Sequence, residues 1–210
     1  MSRFLLALLF VLPQTLPGYE LVNKVSDTYG RMENFQADFV QISQDFSNRI
    51  TRDRGHVYLK RGRKARFDYK EPEERIEYFD GKIFTKYVPI ISQAQQKPIS
   101  DEDDERLKIF QIVGNRESPW KDQFGQIATH SGTPLVEGDQ IVRLIPKNNK
   151  DVRAVLMEAD PRSFFIHRLV FEYADGQSNE FRFTNIQTTP LDNSVFTFTP
   201  PPGVQLIREK

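Results

Sequence analysis

The chain contains no cysteine. Its absence rules out disulfides and thiolate metal sites, and is compatible with an oxidising compartment without requiring one. Histidine is scarce: His56, His130 and His167 stand far apart and lack metal-ligand spacing. There is no Gly-x-Ser-x-Gly elbow, no phosphate-binding loop and no dinucleotide fingerprint. No catalytic residue, metal site or cofactor is expected, and the chain reads as something other than an enzyme. Net charge is missing too, with 29 basic residues against 29 acidic ones. Bulk electrostatics therefore give no reason to expect a nucleic-acid partner. Internal repeats and low-complexity linkers are absent, and 210 residues suffice for one domain with a sizeable core. Methionine and tryptophan are few (3 and 1), whereas phenylalanine and tyrosine number 17 and 7. Such a mixture suits strands and a greasy interior better than a helical bundle.

The apolar run Phe4 to Leu12 follows Arg3 and is too short to span a bilayer. Met1 to Gly18 reads as a secretory signal with a poor cleavage site, leaving residues 19–210 as a single domain. A buried N-terminal helix is the competing reading, and Pro13 and Pro17 sit awkwardly in it.

The most ordered pattern lies between Gly55 and Pro89. Val57 and Leu59 alternate with His56, Tyr58 and Lys60, so one face of this strand is apolar and the other wet. Arg61 follows at the same period and falls on the apolar face, where a charge is costly unless hydrogen-bonded. A basic turn, Gly62-Arg63-Lys64, leads to a strand in which Ala65, Phe67 and Tyr69 alternate with Arg66 and Asp68, and Pro72 breaks it. Asp80-Gly81 predicts a type I′ hairpin turn between Ile76–Phe79 and Lys82–Tyr87. This register places Ile76, Tyr78, Ile83, Thr85 and Tyr87 on one face.

Around this meander, Glu20 to Met32 has helical spacing, with Leu21, Val22, Val25, Tyr29 and Met32 along one side. Asn34 to Ser43 alternates Phe35, Ala37 and Phe39 against Gln36, Asp38 and Val40, as a strand with an aromatic face, and Asp45 to Asp53 reads as a polar turn. Ile90 to Ser100 reads as a loop, and Ser118 to Gly132 is ambiguous between helix and loop. Asp101 to Glu105 is acidic and leads into Leu107, Phe110 and Val113, as a second helix ending at Gly114. It lacks the ligand spacing of a calcium loop, and a solvated helix start is the ordinary reading of such a run. Strands are expected over Gln140–Pro146, Val152–Ala159, Ser163–Tyr173 and Ser178–Asn185, followed by a short element and a proline-rich tail.

The ordered set Phe35-x-Ala37-x-Phe39-x-Gln41, Gly55-x-Val57-x-Leu59-Lys60-Arg61, Arg66-Phe67-Asp68-Tyr69-x-x-Pro72 and Asp80-Gly81-Lys82 resembles the LolA family of periplasmic lipoprotein carriers. Val195-Phe196-x-Phe198-x-Pro200-Pro201-x-Gly203-Val204 resembles that family's ending, so the likeness runs from about Leu21 to Ile207. It implies an α+β fold: a strongly curved antiparallel sheet, an incomplete β-barrel, capped by helices. It also implies a periplasmic monomer that takes acylated lipoproteins from an inner-membrane lipoprotein-releasing ABC transporter and delivers them to an outer-membrane receptor of LolB type. That receptor shares the fold but is itself lipidated, and a chain without cysteine fits the shuttle instead.

On this resemblance Phe35, Phe39, Val57, Leu59, Phe67, Tyr69, Ile76, Tyr78 and Ile83 are the candidate lining of a lipid cavity. Arg61 matches the arginine that latches the lid to carbonyls of the covering helices. Arg63, Lys64 and Arg66 are candidates for docking a partner or anionic lipid heads, against the plain reading of a solvated turn. Ordinary core packing competes with the cavity reading for the apolar face. The chain departs from the family at Gly62, where proline is usual, and at Ala65, where an aromatic is usual. Two related roles stay open: a carrier of another envelope lipid, such as a glycolipid or pigment, and a lipoprotein-sensing regulatory module. The latter is expected to need a second domain, for which this chain has no room.

Overall fold

The structure is a computed structural model that describes residues 15–99 and 123–209. One α-helix is found among the described residues, α1 (Gly18–Arg31). The strands are β1 (Asn34–Gln44), β2 (Ile50–Lys60), β3 (Lys64–Glu71), β4 (Arg75–Asp80), β5 (Ile83–Val88) and β6 (Gln93–Pro98). After the gap come β7 (Phe124–His130), β8 (Gln140–Pro146), β9 (Val152–Ala159), β10 (Ile166–Tyr173), β11 (Ser178–Gln187) and β12 (Gln205–Arg208). All twelve form one curved, unclosed sheet in the order β12-β6-β5-β4-β3-β2-β1-β11-β10-β9-β8-β7. Every pairing is antiparallel except that of β12 with β6.

Alternation sets the two faces. Phe35, Ala37 and Phe39 of β1 lie opposite Leu59, Val57 and Gly55 of β2, and Val57 and Leu59 lie opposite Phe67 and Ala65 of β3. These side chains form the inner face, continued by Phe181 and Phe183 of β11, Leu169 of β10, Met157 of β9 and Val142 of β8 in one buried cluster. Helix α1 lies over β7 and β8 and adds Leu21, Val22, Val25 and Tyr29 to that cluster. Its apolar stripe is the one its spacing predicts. Gly18 starts the helix where a Cβ would sit 3.1 Å from the Thr129 nitrogen and 3.2 Å from a Val142 methyl, so any side chain there would require these neighbours to give by a few tenths of an ångström. Just upstream, the Leu16 amide donates to Gln140 Oε1 (3.0 Å), and Gln140 Nε2 donates back to the Leu16 carbonyl (3.2 Å).

Four expectations are corrected. The Ile90–Ser100 loop contains β6, whose glutamines carry no alternating pattern but whose backbone pairs with β5 and β12. Part of Ser118–Gly132 is the edge strand β7, mostly exposed and so without an apolar signature. β2 begins at Ile50, because the Asp45 carboxylate accepts from the amides of Ser47 and Arg49 (2.9 Å each) and closes a compact turn. The Asp80-Gly81 hairpin is wider than a two-residue turn: Phe79 pairs with Phe84, and Asp80 Oδ1 accepts from the amides of Lys82 (2.8 Å) and Ile83 (2.7 Å). Capping by helices holds for α1; the expected second helix and the acidic run lie outside the described residues, as does most of Met1–Gly18.

Candidate functional site

The inner face carries a continuous aromatic floor. Phe39 stands edge-on to Tyr69 (centroids 5.1 Å apart) and to Phe67 (5.9 Å). Phe67 meets Phe79 at 6.2 Å, and Phe79 meets Phe84 at 4.7 Å. On the other side Phe35 meets Tyr29 (5.9 Å) and Phe183 (6.1 Å). Six sequence candidates, Phe35, Phe39, Val57, Leu59, Phe67 and Tyr69, therefore share one face, each at most 2% exposed. These side chains pack against one another, which supplies dispersion contacts that an empty apolar hollow would forfeit. Tyr29 at the edge of the floor is buried, which pushes its phenol well above the usual range, and its oxygen accepts from the Ile166 amide at 2.9 Å.

Ile76, Tyr78 and Ile83 do not belong to that floor. Phe67 and Ala65 lie opposite Glu77 and Phe79, so β4 turns Glu77 and Phe79 inward and Ile76 and Tyr78 outward. Thr85 pairs with Tyr78 and faces outward too, and alternation puts Ile83, 39% exposed, on the same side. Ile76, Tyr78, Ile83, Thr85 and Tyr87 do share a face, as the hairpin pattern predicts, but it is the opposite one from Val57. Ile-Glu-Tyr-Phe has bulky side chains at both parities, so alternation alone could not decide which faces in. Sequence reasoning missed Phe79, Phe181 and Phe183; the period-2 spacing of the last two was the signal available.

The outer face is covered by the C-terminal segment. Phe198 lies 5.5 Å from Tyr78 and 5.4 Å from Tyr87, and Phe196, in a short 3-10 turn (Asn193–Phe196), is 1% exposed. Two of the three basic residues proposed for docking, Lys64 and Arg66, hold this segment together with Lys60. Lys60 Nζ donates to the Leu191 carbonyl (2.6 Å), and Lys64 Nζ donates to Asn193 Oδ1 (3.1 Å). Arg66 pairs with Asp68 at 2.6 and 2.9 Å, reaches the Val195 carbonyl at 3.4 Å, and lies 5.1 Å over the Tyr78 ring. Lys64 and Arg66 thus act within the chain, where their charge is matched by carbonyls and a carboxylate; Arg63, at the turn, is exposed.

Arg61 follows the last residue of β2 at the rim of the inner face. Its amide donates to the Glu33 carbonyl (3.0 Å), and Nη1 pairs with Glu33 Oε1 at 2.8 Å. Nη2 reaches to 3.5 Å of the Gly30 carbonyl in the last turn of α1, where the helix dipole favours a cation. Its Nε is buried without a hydrogen-bond partner among the described residues. The side chain is about one-third exposed, so the charge is held at the rim and not sunk in the floor.

No group of three or more metal-ligating side chains occurs among the described residues. His56 and His167 each face one carboxylate, Asp38 at 2.7 Å and Asp139, whose side chain is buried, at 2.6 Å. Among the described residues no helix is long and apolar enough to cross a membrane.

Comparison with known proteins fits this geometry. The profile of the outer membrane lipoprotein carrier protein LolA matches residues 30–199. An outer-membrane lipoprotein carrier protein of Photobacterium profundum is 26% identical over 190 residues, spanning 90% of this chain and 88% of that one. That of Histophilus somni is 24% identical over 202 residues, spanning 96% and 94%. Among solved structures, an uncharacterized conserved protein from Thermus thermophilus superposes with a TM-score of 0.57 at 14% identity, covering 89% of this chain and 98% of that one. That last likeness concerns the fold alone. With a matching profile over four-fifths of its length, the chain belongs to the LolA family.

Proposed function

We propose that the chain is a periplasmic carrier that takes up the acyl chains of lipoproteins against its inner face and shuttles them from the inner to the outer membrane. The supporting observation is the floor built from Phe35, Phe39, Phe67, Tyr69, Phe79 and Phe183, closed at its rim by Arg61 on the end of α1. Water is hostile to such cargo: at about 0.8 kcal/mol per methylene, one sixteen-carbon chain exposes on the order of 12 kcal/mol of unfavourable surface. Rings that separate to admit a chain exchange ring–ring for ring–chain contacts, which offsets much of that cost but not all of it. Loading is therefore reversible. The partners on this reading are an inner-membrane lipoprotein-releasing transporter and an outer-membrane receptor of LolB type.

The test is to purify the protein from the periplasm and identify extracted lipid by mass spectrometry, then to offer it a triacylated lipopeptide in detergent-free buffer. Recovery of lipoprotein-type acyl-cysteine and a soluble complex are expected. Extraction of glycolipid or pigment alone, with no uptake of lipopeptide, would overturn the reading.

A further inference from the structure

The inner face does not stay apolar along its length. On β1 the inward positions run Phe35, Ala37 and Phe39, then Gln41 and Ser43. On β11 they pass from Phe183 and Phe181 to Asn179, and on β2 from Leu59 and Val57, through Gly55, to Asp53 and Thr51. β4 goes from Phe79 to Glu77 and Arg75. The switches fall side by side because the register aligns them: Gln41 is opposite Asp53, and Ser43 is opposite both Thr51 and Asn179. The face is thus aromatic over one half and polar over the other.

Tyr69 joins the halves. Its ring sits in the aromatic floor and its hydroxyl donates to Gln41 Oε1 at 3.0 Å, while Gln41 Nε2 donates to Asn179 Oδ1 at 3.2 Å. Next to Asn179 opens a cleft of about 280 Å3, whose walls include Ser43, Thr51, Tyr173 and Gln177. Charge at this end is already matched. Arg75 pairs with Asp53 at 2.7 Å and lies 3.5 Å over the Tyr69 ring; Arg49 pairs with Asp45 at 3.2 Å. Among the described residues at this end each of these guanidiniums faces a carboxylate, whereas amides and hydroxyls are plentiful, and these suit an uncharged hydrogen-bonding group.

We infer that the polar half seats the amide-and-ester head of an acylated lipopeptide, with the acyl chains lying over the aromatic half. This rests on the carrier reading above. It adds an orientation for the cargo and a preference over phospholipid: the head meets Gln41, Ser43 and Asn179, and the guanidiniums described at this end already face carboxylates.

The experiment compares three probes on the purified full chain: a triacylated Cys-Ser-Ser lipopeptide, hexadecanol delivered from cyclodextrin as a tail with almost no head, and phosphatidylglycerol. Asn179→Leu removes a polar group, and Thr51→Trp, at an exposed position, fills the cleft without touching the floor. Wild type should bind the lipopeptide most tightly. Both variants should lose about tenfold in lipopeptide affinity, the worth of one or two hydrogen bonds, and stay within about twofold for hexadecanol. If wild type binds both tails and head-bearing probes but neither variant changes the lipopeptide, the head site is wrong and the carrier reading stands. Equal losses for lipopeptide and hexadecanol, or phosphatidylglycerol bound as tightly as lipopeptide, would also overturn the head site. If wild type takes up none of the probes, the carrier reading falls and this inference with it.

Discussion

Arg61 Nη1 sits 2.8 Å from Glu33 Oε1, and the same guanidinium reaches the Gly30 carbonyl that ends α1. One cation thereby joins the end of β2 to the end of the helix that covers part of the floor. On the carrier reading those contacts stabilise a closed form and are lost when the chain opens to load.

Arg61→Leu removes them and should leave the fold nearly as stable as before, since a pair this exposed contributes about 1 kcal/mol at most. The loaded form then gains on the closed one by the same amount. Transfer of bound lipopeptide to acceptor vesicles should slow by up to about fivefold. Transfer at the wild-type rate would exclude the latch.

The basic turn divides into structural and exposed members. Arg66→Ala should destabilise the chain by about 1–3 kcal/mol in urea unfolding, because it strips Asp68 and the Val195 carbonyl of their partner, and should make the segment over Tyr78 open to proteolysis. Arg63→Glu should leave stability within about 0.5 kcal/mol. At low salt it should weaken loading from the inner-membrane transporter. Unaltered loading would return Arg63 to a solvated turn.

Gly55 faces the floor where a Cβ would fall 2.1 Å from the Asp68 carbonyl oxygen and 3.0 Å from the Phe39 ring. Backbone on one side and a buried ring on the other leave no easy relaxation. Gly55→Ala should therefore cost about 3 kcal/mol or more, at the upper end of overpacking effects. A shift of the urea midpoint too small to measure would show that β2 and β3 can part without loss.

On the outer face, hydrogen bonds first from Asn185 and then from His56 hold the Asp38 carboxyl below the usual aspartate range. A depressed folded value means that the unfolded chain binds this proton more readily, so stability rises with pH across that window. Acidification from about pH 5 towards pH 3 should therefore erode the melting temperature. Asp38→Asn should lower stability near pH 7, where the contribution is present, and change little near pH 3, so the fall becomes shallower; equal slopes would exclude the contribution.

Much of the floor was legible because its strands obey a single rule. Phe35, Phe39, Val57, Leu59, Phe67 and Tyr69 each follow a polar neighbour, and β8 and β9 begin and end where their patterns do. The rule failed on β4, where Ile76, Tyr78 and Phe79 are bulky at both parities and a covering segment on the far side absorbs two of them. It was silent on β6, whose place is fixed by backbone pairing and not by side chains. The clasp of Lys60, Lys64 and Arg66 joins residues about 130 positions apart. Local spacing shows such residues as a basic turn; only the folded path of the C-terminal segment reveals what they hold.

With Phe35, Phe39, Phe67, Tyr69 and Phe79 at most 2% exposed, this face offers water and stray grease almost nothing to cling to. On the carrier reading, a guest would first have to prise apart the host's own packing, and that packing, closing again, would help to expel it.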